Sequence, residues 1–325
     1  MKTTWVYPHF LESHQVALYT PAMERRQVTV RVPATTANLG PGFDCLGMAL
    51  DWWNDVYMSV SSAPEVRVLG EGADTLSAAD DNLVYSSAQA VFSEAGEDSP
   101  TLSILCENRI PLARGLGSSA AAIVGGLVAA NALCSHPLDQ QCLLDMAVRL
   151  EGHADNVTPA MLGGCQVVVQ DGNKVISDTV PITPELRAIV FVPDMPMPTK
   201  NARAVLTEKV TREDAVYNLG RVAMLVNSLS SGRLENLRVA TQDRLHQPAR
   251  EKMLPAMKYI ILAAQSAGAS GVFLSGGGSS VLALATSRFM TIGYEMVNAA
   301  DKLGFSGSLK VTCPSSLGAH VISTE

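Results

Sequence analysis

At 325 residues, with 47% hydrophobic and 17% charged side chains, the chain is long and apolar enough for about two globular domains. Its net charge of −7, without a polybasic block or basic amphipathic stretch, argues against nucleic-acid and membrane-surface partners. Aromatic residues make up only 5%, so the core is expected to be built from Ala, Val, Leu, Ile and Met.

Residues 1–26 show no clear period and read as an extension, with Met23 leaving a second start open and no charged-then-apolar signal peptide. Six scattered cysteines (Cys45, Cys106, Cys134, Cys142, Cys165 and Cys313) form no CxxC pair, which points to a reduced, cytoplasmic setting. QVTVRVP alternates as a half-buried strand ending at Pro33, and ATTANLGPGFD reads as a loop. WWNDVYMSV returns to strand composition, residues 81–95 to helix, and TLSILCE to strand. Residues 119–133, rich in Gly and Ala, predict a buried helix too short for a membrane span. Residues 139–151 predict a helix with Leu143, Ala147 and Leu150 on one face, and GGCQVVVQDG a strand closed by a turn. A composition shift at residues 181–184 marks a domain boundary. Beyond it come a strand at 186–192, a Pro-rich loop, helices near 213–230 and 254–268, and a glycine hairpin over 271–284. A helix near 289–303 and strands at 307–312 and 319–323 follow. Without strict βα alternation, this favours α+β layers.

PLARGLGSSAAA carries the strongest chemical signal. A loop with Gly115 and Gly117 feeds a helix starting at Ser118 and Ser119, where free N–H groups and the dipole attract anions. The dinucleotide fingerprint GxGxxA fits the letters but lacks its following strand and acid, and no Walker-type GxxxxGK[ST] exists. A plain helix entry with a serine cap stays open. NLGPGFD sets Asn38 and Asp44 about a turn, either as an Asx-turn pair or as an amide and carboxylate for a ligand with an ammonium and a hydroxyl. In EGHADNV, Glu151 opposes the negative end of its own helix, a cost that magnesium would offset. His153 could equally serve as a cap or core residue. Thr199 and Arg203 share a helical face, and Arg203 and Arg250 are either carboxylate forks or solvated arginines.

The spacing P-x-x-x-G-L-G-S-S-A, met at Pro111, Gly115, Leu116, Gly117, Ser118, Ser119 and Ala120, resembles the phosphate motif of the GHMP kinases. PATTANLGPGFD near the start and LSGGGSS near the end resemble two further motifs of that superfamily, in the same order. NLGPGFD followed by EGHADNVTPA is similar to its homoserine kinase family, although Ser279 and Ala249 stand where relatives usually carry proline and an aromatic. The resemblance implies a two-domain α+β GHMP fold. Its nucleotide domain, like domain 2 of ribosomal protein S5, would span residues 27–180, and a ferredoxin-like domain residues 181–325.

It further implies transfer of the γ-phosphoryl of MgATP to the side-chain hydroxyl of L-homoserine, on the route to threonine. ATP would lie against Pro111, Leu112, Ala113, Arg114, Gly115, Leu116, Gly117, Ser118, Ser119, Ala120 and Ala121, with Asn82 near the adenine. Mg2+ would be held by Glu151, Ser118 and Ser119, with Asp145 in reserve. Asn38, Asp44, His153, Arg203 and Arg250 would orient the amino acid, with Asp44 on its ammonium. Asn156, Thr199 and Asp155 would lie at the transferring group. A mevalonate-like or sugar kinase and a non-catalytic nucleotide-binding regulator are the rival readings, and a homodimer stays open.

Overall fold

The alternation in QVTVRVP does make a strand, but β1 (Gln27–Ala37) runs on through Pro33, which shortens the expected loop. Proline donates nothing to a ladder. Here it sits where the register to β2 (Leu46–Val60) slips between Pro33 and Ala34, beyond the stretch of β1 that the last strand pairs. The computed structural model describes residues 26–79 and 81–325, so the expected N-terminal extension lies outside the described residues apart from Arg26.

β3 (Glu65–Gly70) was not expected from sequence; it pairs in parallel with β4 (Leu102–Asn108). Between them α1 (Leu83–Ala95) starts where Asn82 accepts a bond from Val84 N–H, and it ends at Gly96 in the left-handed region. α2 (Ser118–Leu133) is the predicted small-residue helix. Gly125 and Gly126 let it lie against Val56 and Val32 on one side and the α1 backbone at Val84 on the other. α3 (Gln140–Glu151) is capped by Asp139, and α4 (Ala154–Leu162), a helix not expected from sequence, follows at once. β5 (Cys165–Asp171) pairs with β2 and with β6 (Lys174–Val180), a strand that was also not expected.

β7 (Arg187–Pro193) opens the second half. α5 (Thr199–Ala204), α6 (Arg212–Ser231), α7 (Leu237–Ala240), α8 (Gln247–Arg250) and α9 (Met257–Ala267) then lead to β8 (Gly271–Leu274) and β9 (Val281–Ala285). α10 (Phe289–Asp301), β10 (Gly307–Thr312) and β11 (His320–Thr324) complete the chain. The second sheet runs β10-β7-β9-β8. β7, β8 and β9 are nearly unbroken apolar runs because both of their faces are covered, while the edge strand β10 keeps Ser308 and Lys310 exposed. Ala188, Val190 and Val192 of β7 join the large first core, while Ile189 and Phe191 face a second core under α9 and α10.

The first sheet runs β11-β1-β2-β4-β3, with β5 attached to β2 and β6 to β5. β11 therefore pairs with β1 rather than with the second sheet, across the boundary expected between residues 180 and 181. Among the described residues, no helix is long and apolar enough to cross a membrane.

Candidate active site

A cleft of about 260 Å³ opens where the two halves meet, and residues from six separate segments line it. Its floor is the loop leading into α2. Gly117 stands at the cap position with φ +69° and no side chain caps the helix, so the first-turn N–H groups have no partner within it. A Cβ on Gly117 would overlap Thr35 Oγ1, so the position requires glycine on steric as well as torsional grounds.

The carbonyls of this loop are all committed elsewhere. Ala113 O accepts from Met197 N–H (2.8 Å), Arg114 O from Ser280 N–H (3.0 Å) and Leu116 O from Thr35 N–H (3.1 Å), while Gly115 O accepts from Ser275 Oγ (2.6 Å). Four successive acceptors are thus held by neighbouring chain, and negative potential from them is kept off the helix mouth. Ser275 and Ser280 belong to the glycine hairpin, whose role here is to clasp the loop. The Arg114 side chain is itself spent on carbonyls, of Pro193 (2.7 Å), Leu112 (2.9 Å) and Asp194 (2.5 Å).

Beside the mouth, Ser119 Oγ donates to Glu151 Oε1 at 2.6 Å. Burial pushes the Glu151 carboxyl above its ordinary value despite that bond and the nearby His153. His153 heads α4, with Nδ1 3.1 Å from Asp155 Oδ1 and Nε2 3.7 Å from Glu151 Oε1. Burial lowers its pKa, but the two carboxylates outweigh it and the net shift is upward. Asn156 Oδ1 accepts from Thr35 Oγ1 at 2.8 Å. Glu151 and Ser119 present hard oxygen donors in contact with each other, and Ser118 lines the same cleft. Among the described residues, no trio of His, Cys, Asp or Glu is arranged to cage a metal. That donor set fits a magnesium ion that takes its remaining ligands from phosphate and water.

The opposite wall is charged. Asp44 and Arg203 face each other as a two-pronged fork, Oδ1–NH2 2.6 Å and Oδ2–NH1 3.1 Å. The Asn38 side chain is engaged by chain at both ends, accepting from Asp44 N–H (3.0 Å) and donating to Gly276 O (3.0 Å). It shapes the loop that presents Asp44. Asn38, Leu39 and Asp44 all have positive φ, a concentration of strain of the kind that active sites carry. Arg250 is 2% exposed, and burial lowers its pKa to about 10. Phe43, which the sequence reading passed over inside NLGPGFD, packs beneath both guanidinia at 5.5 and 5.7 Å.

Of the residues expected in the site, Asn38, Asp44, Ala113 to Ser119, Glu151, His153, Asp155, Asn156, Thr199, Arg203 and Arg250 all line this cleft. Pro111, Leu112, Ala120 and Ala121 do not; the last two are buried within α2. Asn82 also lies outside the lining, with its amide spent on Val84 N–H and Ser77 O. Asp145, the reserve metal ligand, instead accepts from Val175 N–H and Gln141, tying α3 to β6.

The family descriptions "GHMP kinases N terminal domain" and "GHMP kinases C terminal" match residues 82–164 and 225–289. A homoserine kinase from Moorella thermoacetica is 43% identical over 293 residues, 90% of this chain and 99% of the relative. One from Desulfitobacterium hafniense is 42% identical, covering 91% of this chain and all of the relative. The crystal structure of a homoserine kinase from Cytophaga hutchinsonii superposes with a TM-score of 0.84 at 30% identity, over 94% of this chain and all of that one. The L. major mevalonate kinase shares the fold at a TM-score of 0.68 and 16% identity, over 91% of this chain and 98% of that one. The chain belongs to the homoserine kinase family of the GHMP kinases.

Proposed function

We propose that this chain transfers the γ-phosphoryl group of ATP to the side-chain hydroxyl of L-homoserine, giving O-phospho-L-homoserine for threonine biosynthesis in the cytoplasm. The observation that carries the acceptor assignment is the Asp44–Arg203 fork standing across the cleft from the uncapped helix mouth. A zwitterion can take the place of each partner for the other, its ammonium on Asp44 and its carboxylate on Arg203 and Arg250. An uncharged sugar can replace neither, and would leave the fork closed.

Phosphoryl transfer needs in-line positioning and charge neutralisation more than covalent chemistry. The N–H groups opening α2 receive the phosphates, and the clasped carbonyls keep that cradle in shape before ATP arrives. Glu151 with Ser118 and Ser119 would hold Mg2+, which neutralises charge on the phosphate oxygens when bound. Thr199 and Asn156 flank the path between the two substrates. Asp155 is the candidate acceptor for the hydroxyl proton; His153, with its raised pKa, is oriented by Asp155 and Glu151.

A coupled ADP-release assay with MgATP and a panel of acceptors tests this directly. L-homoserine should give the fastest turnover, with the phosphate on its side-chain oxygen. Faster turnover of a mevalonate-like acid or a sugar would overturn the acceptor assignment, and ATP binding without turnover of any acceptor would overturn the enzymatic one.

A further inference from the structure

His246 is fully buried, lines no part of the cleft and has not yet entered the chemistry, although its two ring nitrogens are both engaged. Nε2 lies 2.7 Å from Gly40 O, and Nδ1 lies 2.8 Å from Arg250 NH1. A carbonyl can only accept and a guanidinium can only donate. The proton must therefore sit on Nε2, and Nδ1 must be a bare acceptor. The two partners together fix one neutral tautomer.

The rest of Arg250 is held as firmly. Its Nε donates to Ala202 O (3.1 Å) and its NH1 also to Gly276 O (3.1 Å). NH2 is left without a partner among the described residues, on a side chain that borders the cleft. His246 is held in turn by Asp243, which accepts from the backbone N–H groups of Leu245, His246 and Gln247 and from Asn218 Nδ2. Asn218 also donates to Pro41 O at 3.1 Å. A buried network thus joins the Asn38–Asp44 loop to the guanidinium across the cleft wall.

We propose that His246 is a positioning residue for the amino-acid acceptor: as the neutral Nε2–H tautomer it locks Arg250 to the Gly40 carbonyl, so that the free NH2 of Arg250 meets the substrate carboxylate at a fixed distance from Asp44. Burial, reinforced by Arg250, pushes the imidazole pKa down, which keeps Nδ1 free to accept. This rests on the assignment of the cleft to a zwitterionic acceptor.

The two nitrogens can be tested separately, because a carboxamide imitates one or the other. In His246→Asn the side-chain oxygen falls near the Nδ1 position and can still accept from Arg250. In His246→Gln the amide nitrogen falls near Nε2 and can still donate to Gly40, but nothing faces Arg250. Each loses one buried bond, so a purely structural role predicts similar melting temperatures and similar kinetics for both. The proposal predicts that His246→Gln raises the KM for homoserine about tenfold with the KM for ATP unchanged, and that His246→Asn restores most of the acceptor affinity. Equal acceptor KM values for the two variants, or equal rises in both KM values, overturn it. Should His246→Gln fail to fold, a tenfold rise in acceptor KM for His246→Asn alone overturns it. Arg250→Ala is the control: no rise in the acceptor KM there would overturn the acceptor assignment itself, independently of His246.

Discussion

Asp55 sits between Arg31 and Arg109 on the outer face of the first sheet, and Asp44 faces Arg203 in the cleft. Both are carboxylate–guanidinium forks, with closest contacts of 2.7 and 2.6 Å. Their settings differ. Asp55 and Arg31 are directly paired residues of two regular strands, and the Asp55 side chain is 2% exposed. Asp44 sits on a loop in the left-handed region, and both partners in its fork are 37% exposed. The first carboxylate is satisfied twice over by its own fold. The second is satisfied only until something better arrives, and its backbone is strained to hold it there. Pairing chemistry alone does not separate structure from function; backbone regularity and access do.

The comparison can be tested in order of expected effect. Glu151, across the same cleft, is a buried carboxyl that burial itself disfavours. Glu151→Ala should lower kcat about a hundredfold or more while leaving the melting temperature unchanged or slightly raised. Near-wild-type turnover at limiting magnesium would remove Glu151 from the metal site. Asp44→Ala should raise the KM for homoserine by roughly 30- to 100-fold, with the KM for ATP and the melting temperature nearly unchanged. A large loss of stability there would make the two forks alike. Asp55→Asn should do the reverse, costing about 2 kcal/mol in denaturant unfolding while the folded protein keeps its specific activity.

The smallest effect is the pH dependence of that last term. Burial alone would raise the Asp55 pKa, but the two arginines outweigh it and hold it below the usual carboxylate value. A depressed folded pKa contributes stability that is complete above the unfolded value, near pH 4, and drains away as pH falls through the folded one. Melting temperatures measured from pH 7 downward should fall more gently for Asp55→Asn than for wild type in that acid window. Parallel curves would mean that the arginines do not hold Asp55 as described.

The phosphate floor was legible in the sequence because it is local: Gly117 and the serines after it make an uncapped helix mouth in consecutive residues. The acceptor wall was legible only in its parts. Arg250 was visible as one of two arginines able to fork a carboxylate, but Ala202, which accepts from it, is 48 residues away, and Gly40, which holds His246, is 206 residues from that histidine. No local pattern reports contacts of that range, and His246 was missed for the same reason. Phe43 was overlooked because a loop aromatic has no period to reveal it. Among the elements, β1 was cut short at Pro33 because the bulge that accommodates a proline depends on its neighbour β2. α4 was hidden by its polar start and by Pro159 inside it. β3 escaped because it is a short, largely exposed strand at the sheet margin.

The pairing of β1 with β11 joins Val28 to Thr324, so β1 waits for a segment made far later in the chain. During synthesis that margin stays bare until β11 leaves the ribosome, a standing invitation to a neighbouring nascent chain. A closure of such long sequence separation also slows the final step of refolding. Production of the enzyme should therefore be sensitive to crowding among nascent chains, and a cut just before His320 should leave residues 28–31 of β1 without that partner.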